Sequence, residues 1–469
     1  MLKNTFSVFK DKSVMKLIFH LAWPTILEHA LQTLVSYVDT AQVGAIGASA
    51  SAAVGVTGST NWLINAPMYA ISIGVLSCIS QAIGAKDEKL VRKAASQSVL
   101  IAVILGTLWG ITALLLSPHI PVWLGASAEI QKDAFNYFAI ICIPMPFRFA
   151  GIIFGAALRA AGDTKAPLFN NLIMNIVSVS LNFLLINPSS THNIFGHSFT
   201  LWGAGLGVRG AAISTAIAFT IGGSLMFLSM RRNSHLKFKR LRYDQPVMTR
   251  CIRIGMPIVA SRVSVCLGHV LFTSIITRLG ITAIAAHSIA ITAEQAFYIP
   301  GFGMQSAAST LAGYALGEKN VKKEKQYSFV VACISVGLMT LLAVFLFIFA
   351  APIMAIFTRD TAVIQLGSSL LKIVALSEPL YAGSIVLEGI FNGVGYNKIP
   401  FVYSTFAMWG VRILFSYLCV FHWDMGLTAV WICMIGDNIL RCILLGLHYL
   451  KSHWREKSGF LSLNMPEYD

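Results

Sequence analysis

Residues 21–44 read LAWPTILEHALQTLVSYVDTAQVG, a stretch apolar enough to lie in a bilayer that nevertheless holds Pro24, Glu28 and Asp39. A charge in lipid is costly, and a proline inside a helix forfeits a backbone hydrogen bond, so the three residues need a reason to share one segment. Helical spacing supplies one. Positions 28, 32, 36 and 39 follow i, i+4, i+8, i+11, which puts Glu28, Gln32, Ser36 and Asp39 on one polar stripe. In a membrane that stripe must face other helices or a water-filled cavity. A proton or Na⁺ on Asp39 would change its desolvation cost and its hydrogen-bonding options. Pro24 interrupts the backbone ladder and would let the helix bend or straighten. The stretch therefore predicts a charge switch at Asp39 and a hinge at Pro24. A hydrated helix-end carboxylate and a static kink are the plainer alternatives.

The rest of the chain fits this setting. Of 469 residues, 56% are hydrophobic and only 12% charged, with a mean hydropathy of +0.71. Soluble domains carry about 25% charged residues. The composition is that of an all-α polytopic membrane protein. The net charge of +15 does not signal nucleic acid, because the cations sit in short runs between long apolar segments. The eight cysteines are scattered singly without a CxxC pair and read as small core hydrophobes, with neither disulfides nor a metal site. The N-terminus reads as a basic cytoplasmic lead-in rather than a signal peptide.

A crossing needs about 20 apolar residues. Twelve are expected, at 16–43, 51–83, 93–117, 131–158, 167–187, 207–230, 251–278, 283–315, 327–357, 363–392, 400–422 and 426–450. Lys86, Lys89, Arg92 and Lys93, then Arg159 and Lys165, the 231–253 run, Lys319–Lys325, Lys398 and Lys451–Lys457 all fall on one side. Lys132, Arg209, Arg278 and Arg359 fall on the other. By the positive-inside rule both termini are cytoplasmic, in the inner (cytoplasmic) cell membrane.

Sliding the chain on itself by 233 residues aligns Pro24 with Pro257, Gly47 with Gly280, Pro67 with Pro300 and Gly84 with Gly317. Lys86 then meets Lys319, Pro146 meets Pro379, Gly162 meets Gly395 and Lys165 meets Lys398. The register holds until an extra stretch around SSTHNIFGHSFTLW in the first half. Two homologous six-helix lobes follow, at 1–230 and 251–450, joined by a basic cytoplasmic linker at 231–250 and followed by a cytoplasmic tail at 451–469. Such repeats place a substrate between the halves.

No Gly-Lys-[Ser/Thr] is present, so ATP is not the expected fuel. The GxGxxG at Gly205, Gly207 and Gly210 lacks a preceding strand and reads as tight turning and close packing, not a dinucleotide site. No catalytic cluster is visible, and an enzyme is not expected. An ion gradient is the remaining energy source.

These residues carry a resemblance. LAWPTILEHALQTLVSYVDTAQVGAIG, SQAIGAKDEKLVRKA, LRAAGDTKAP, GVRGAAIST, PGFGMQSAASTLAGYALGEKN and FNGVGYNK, in this order, resemble the MATE (multidrug and toxic compound extrusion) transporters. The spacing from Pro24 to Asp39 is similar to that in the DNA-damage-inducible F-like branch. The resemblance implies a V-shaped fold of the wider MOP superfamily and a cation-coupled (H⁺ or Na⁺) antiporter without a cofactor, exporting amphipathic, often cationic compounds by alternating access. It implies a coupling site at Asp39 and Asn182, with Ser178 and either Thr215 or Ser214 nearby, and Na⁺ as a candidate ion at Asp39 and Asn182. Asn182 stands where some relatives have aspartate, so the site has one carboxylate rather than two. A helix-10 acid of other branches would fall near Tyr381, one turn from Glu378. Substrate-cavity candidates are Glu28, Gln32, Tyr37, Trp62, Asn175, Glu294, Gln295 and Tyr298, whose carboxylates and aromatics suit organic cations. Glu28 is read as a counter-ion or as a partner of Arg262, and Arg412 with Asp437 as a structural pair. The expected partners are a small organic molecule and the lipid bilayer, with a monomer as default and no nucleic acid. A lipid-linked saccharide flippase of the same superfamily is the alternative.

Overall fold

The computed structural model describes the backbone of residues 12–194, 197–451 and 453–457, and within these every side chain except 48, 58–63, 190–194, 197–202, 453 and 457. The helices of the first half are α1 (Lys12–Gly44), α2 (Ala48–Gly84), α3 (Glu88–Leu116), the single turn α4 (Ile120–Trp123), α5 (Ala128–Cys142), α6 (Met145–Ala160), α7 (Lys165–Ile186) and α8 (Gly207–Arg232). Those of the second half are α9 (Gln245–Thr277), α10 (Ile281–Phe297), α11 (Ile299–Gly317), α12 (Val321–Phe357), α13 (Thr361–Ala375), α14 (Glu378–Val394), α15 (Lys398–Phe406), α16 (Leu414–Phe421), α17 (Leu427–Leu450) and the short α18 (His453–Lys457). A π-helical stretch, Ala407–Ile413, joins α15 to α16. The extra stretch of the first half forms an antiparallel hairpin, β1 (Pro188–Ile194) and β2 (His197–Ala204), so it adds strands to an otherwise helical chain.

Among the described residues, eight helices are long and apolar enough to cross a membrane, and the bent pairs α5–α6 and α13–α14 bring the number to ten. The other two of the twelve expected crossings correspond to α1, whose polar stripe lowers its hydropathy, and to α10–α11, which break at Tyr298. The segments that exceed one crossing left room for bending, but hydropathy did not locate these bends. They measure 53° and 56°, and each lies beside a proline in the first turn of the following helix. Proline is accepted there because its missing N–H has no intrahelical partner to lose.

The 233-residue repeat is written into the backbone. Left-handed φ values occur at Gly47 and Gly280 (143° and 95°), Lys86 and Lys319 (57° and 53°), and Gly162 and Gly395 (83° and 76°). Each pair is one offset apart, as are the two bent helix pairs. A lysine adopts this region only against a steric penalty, so its recurrence marks a shared turn rather than chance.

Two compact units result, and their border departs from the expected lobes. One contains the described residues up to Ile26, Leu76–Glu88, and Arg250 onwards. The other contains Leu27–Val75 and Lys89–Thr249. Within the first of these, Ile18, Leu21 and Ala22 are buried in one apolar cluster with Met304, Leu311, Phe391 and Trp454. Gln81 donates to the Gly393 carbonyl at 2.9 Å and accepts from Arg250 Nη2 at 2.6 Å. A Cβ on Gly84 would collide with the Tyr314 carbonyl, so α2 and α11 cross at backbone contact. The chain thus leaves this unit within α1, between Ile26 and Leu27, two residues after Pro24. The expected linker is a packed segment of the second unit. Leu236 and Phe238 are buried, Gln97 Nε2 donates to the Arg242 carbonyl at 2.6 Å, and Lys93 pairs with Asp244 at 2.9 Å. At the far end, Arg455 of α18 is held to the buried Glu324 at 3.0 Å.

Contrary to the sequence reading, a strand does precede the GxGxxG: β2 ends at Ala204 and α8 starts at Gly207, but β2 belongs to a two-stranded antiparallel hairpin and not to the parallel βαβ unit of a dinucleotide site. Gly205 and Gly207 take positive φ after β2, and a Cβ on Gly210 would strike the Leu185 carbonyl of α7.

Candidate functional site

Within the unit of Leu27–Val75 and Lys89–Thr249, α1 carries two acids that meet different partners. Asp39, half-buried, accepts a hydrogen bond from Asn182 Nδ2 of α7 at 2.7 Å. Asn182 is itself buried, and its Oδ1 has no hydrogen-bond partner among the described residues. One turn beyond Asp39, both amide atoms of Gln42 are also buried and unpartnered. Nearly all buried polar atoms in native proteins are bonded, so the three such atoms on Asn182, which contacts Asp39, and on Gln42, one helical turn from it, need an explanation. Gln42 was not singled out from the sequence. The 28–32–36–39 stripe continued by one turn would have reached it.

The remaining coupling candidates lie on α7 and α8, and the hydroxyls of Ser214 and Thr215 donate to backbone carbonyls. Ser178 is buried on α7, and its carbonyl accepts from Ser214 Oγ of α8 at 2.8 Å. Thr215 Oγ1 donates to the Ala211 carbonyl of its own helix at 2.9 Å. Either hydroxyl oxygen retains lone pairs, but neither spends its proton on Asp39. Asn175 is buried two turns from Asn182 with its Nδ2 unpartnered. Among the described residues no group of three or more His, Cys, Asp and Glu side chains could hold a metal. A single carboxylate beside amide oxygens is a hard-donor set that suits a proton or Na⁺ rather than a soft transition metal.

Glu28 is built in the opposite way. It is buried, its two oxygens lie 3.2 Å from Arg159 Nη1 of α6, and Asn171 Nδ2 of α7 donates to Oε1 at 2.6 Å. The partner is Arg159, in place of the Arg262 considered from sequence. Of the other cavity candidates here, Gln32 and Tyr37 are exposed, and Trp62 lies among the side chains outside the described set.

The other unit holds Glu294 and Tyr298, with Gln295 exposed. Glu294 is buried and accepts from the Tyr298 hydroxyl. Tyr298 in turn lies 4.8 Å from the Tyr381 ring, and Glu378 is buried with Oε2 unpartnered. These two glutamates have no cation bridged to them among the described residues. Asp437 does: Arg412 reaches it at 2.8 Å and Arg441 at 3.1 Å, which bears out the structural pair read from sequence.

Comparison with known proteins agrees with this architecture. The MatE family model matches residues 24–184 and again 257–418, starting at Pro24 and at its repeat mate Pro257. The chain is 28% identical over 465 residues to a probable multidrug resistance protein NorM of Thermotoga maritima, covering 97% of both. It is 24% identical over 462 residues to an uncharacterized transporter YisQ of Bacillus subtilis, covering 96% of this chain and 99% of the relative. Its fold is that of a MATE protein solved in the bent conformation, with a TM-score of 0.85, 22% identity, and coverage of 95% and 97%. With the family model matching both halves in register, the chain belongs to the MatE family of multi-pass membrane transporters.

Proposed function

We propose that this chain is a cation-coupled antiporter that exports amphipathic, often cationic organic compounds across the cytoplasmic membrane, with Asp39 as the cation switch. The observation that carries the reading is the Asp39–Asn182 contact, 2.7 Å long, beside the unpartnered Asn182 Oδ1. The ionised carboxylate is held by the amide N–H. A proton on Asp39 would need an acceptor, and the Oδ1 of the same Asn182 amide is unpartnered among the described residues. Na⁺ would draw on the same oxygens together with Gln42 Oε1. Either ion removes the reason for the amide to face the carboxylate, so binding changes how α1 and α7 hold each other. Pro24 lies fifteen residues away on α1, or about 22 Å at 1.5 Å per residue. It stands two residues before the border between the compact units. A change at Asp39 can therefore act on the Pro24 hinge through a single helix.

The driving force is adequate. One charge moving down 100 mV is worth about 2.3 kcal/mol. A hundredfold substrate gradient costs about 2.7 kcal/mol. For an uncharged substrate one ion with a modest concentration gradient covers that; exchanging one ion for one monovalent cation is electroneutral, so there the ion's concentration gradient, or a second ion, supplies the work. The relative named for multidrug resistance supports the substrate class.

The test is ethidium efflux from proteoliposomes under an imposed H⁺ gradient or an imposed Na⁺ gradient, for wild type and Asp39→Asn. Efflux driven by one gradient and lost in the variant is the expected result and identifies the ion. Gradient-driven efflux that survives the substitution would move the coupling site elsewhere. Folded protein with no efflux under either gradient would favour a flippase.

A further inference from the structure

We infer that a groove at the lysine- and arginine-rich end of α9 and α15 binds an anionic phospholipid of the inner leaflet. The groove has a volume of about 560 Å³ and is lined by Arg253, Met256, Pro257, Lys398, Phe401 and Val402. Its lining follows one rule on both helices. Arg253, Met256 and Pro257 stand at i, i+3, i+4 on α9, and Lys398, Phe401 and Val402 stand at i, i+3, i+4 on α15. Each helix thus turns two apolar side chains into the same, almost wholly apolar concavity and brings one cationic residue to its edge. Both cations are exposed, and neither has an acidic partner among the described residues. Met256 is 54% and Val402 50% exposed, so the apolar part of the groove is open to a ligand.

The chemistry selects the occupant. Two cations without acidic partners at the edge of one groove match one phosphodiester, and the apolar floor one turn further along both helices matches the start of an acyl chain. A zwitterionic headgroup brings its own ammonium and would compensate the cations poorly. A free phosphate would use the rim and leave the floor empty. The basic side is the cytoplasmic one by the positive-inside rule, where anionic lipid is the available partner. An isolated snorkelling lysine or arginine would not require a second cation over a shared cavity.

Native mass spectrometry of the full-length chain, released from detergent with phosphatidylglycerol or phosphatidylcholine added, reads this directly. Wild type should retain phosphatidylglycerol over phosphatidylcholine. Arg253→Gln with Lys398→Gln should weaken phosphatidylglycerol retention about thirtyfold, the size expected for two headgroup cations. Both side chains are exposed, so the fold should survive, which an unchanged Tm would verify. Val402→Trp fills the floor with both cations intact and should weaken retention too. Replacing Lys237, Lys239 and Arg240 with Gln removes three exposed cations from the 231–250 segment and should leave retention unchanged. Equal retention by the double variant would overturn the assignment, as would an equal loss on changing the 231–250 segment. Displacement of phosphatidylglycerol by inorganic phosphate at the same concentration would also overturn it, because the site would then be a plain anion site.

Discussion

Glu28 and Asp39 occupy the same helix, three turns apart on the same stripe, yet the fold treats them as opposites. Glu28 is buried against a guanidinium and an amide, with Arg159 at 3.2 Å and Asn171 at 2.6 Å. Asp39 is less buried and has an amide alone, with the other end of that amide unsatisfied. A compensated charge has little to gain from a proton or a sodium ion, because its partner already supplies the neutralising field. An uncompensated one can take up either. On the proposed function, the difference makes Glu28 the structural acid and leaves Asp39 as the candidate switch, although the sequence presents them as the same kind of residue in the same kind of setting.

The contrast can be broken most severely at Asp39. Asp39→Asn should reduce gradient-driven ethidium efflux at least a hundredfold, whereas Glu28→Gln should keep its dependence on the gradient. Equal losses would erase the distinction. Arg159→Met should leave Glu28 buried without its cation and cost about 3–5 kcal/mol, the usual penalty for stranding one member of a buried pair. Adding Glu28→Gln should recover most of the lost Tm in detergent. If it does not, Arg159 acts through something other than Glu28. Asn182→Ala should shift the ion concentration for half-maximal efflux about tenfold, in line with the loss of a hydrogen bond to a charged group. The direction is informative. Na⁺ would lose an oxygen ligand and bind more weakly, whereas a proton would compete against a carboxylate that has lost its donor and bind more tightly. The smallest effect should come at Gln42. If Gln42 is a ligand, Gln42→Leu should weaken the ion dependence a few-fold. If its amide is idle, removing two buried unsatisfied atoms should raise stability by about 1 kcal/mol with efflux untouched.

A comparable contrast exists in the other unit. Among the described residues, Asp437 is bridged by two arginines, whereas Glu294 is bonded to a tyrosine hydroxyl without a bridging cation and Glu378 leaves one oxygen unpartnered. The pattern of one neutralised acid and others left open therefore appears in both units, on different helices.

Much of this was legible in the chain. Apolar length and charge alternation gave the helical membrane class. The matched prolines and glycines at a fixed offset gave the repeat, because backbone conformations reachable mainly by glycine, or terminated by proline, restrict residue choice wherever they recur. Asp39 stood out because a carboxylate in an apolar helix is expensive whatever surrounds it. Asn182 followed only from the family resemblance, since an asparagine on α7 has nothing local to distinguish it from an ordinary helix-packing amide.

The partners were decided by the tertiary structure. Helical spacing tells which side chains share a face, but not which helix that face meets, so the sequence offered Arg262 for Glu28 and the fold delivered Arg159. The bends at α5–α6 and α13–α14 were hidden within runs of continuous hydropathy, because the loss of a few backbone bonds beside a proline leaves side-chain character unchanged. The border between the units inside α1 was equally hidden. Periodicity describes a helix as one object, whereas the burial of Ile18, Leu21 and Ala22 against α11 and α14 assigns the turns before Pro24 to one body and those after Ile26 to another. Sequence fixes the cost of each group in a membrane, and only the packed structure sets which neighbour offsets that cost.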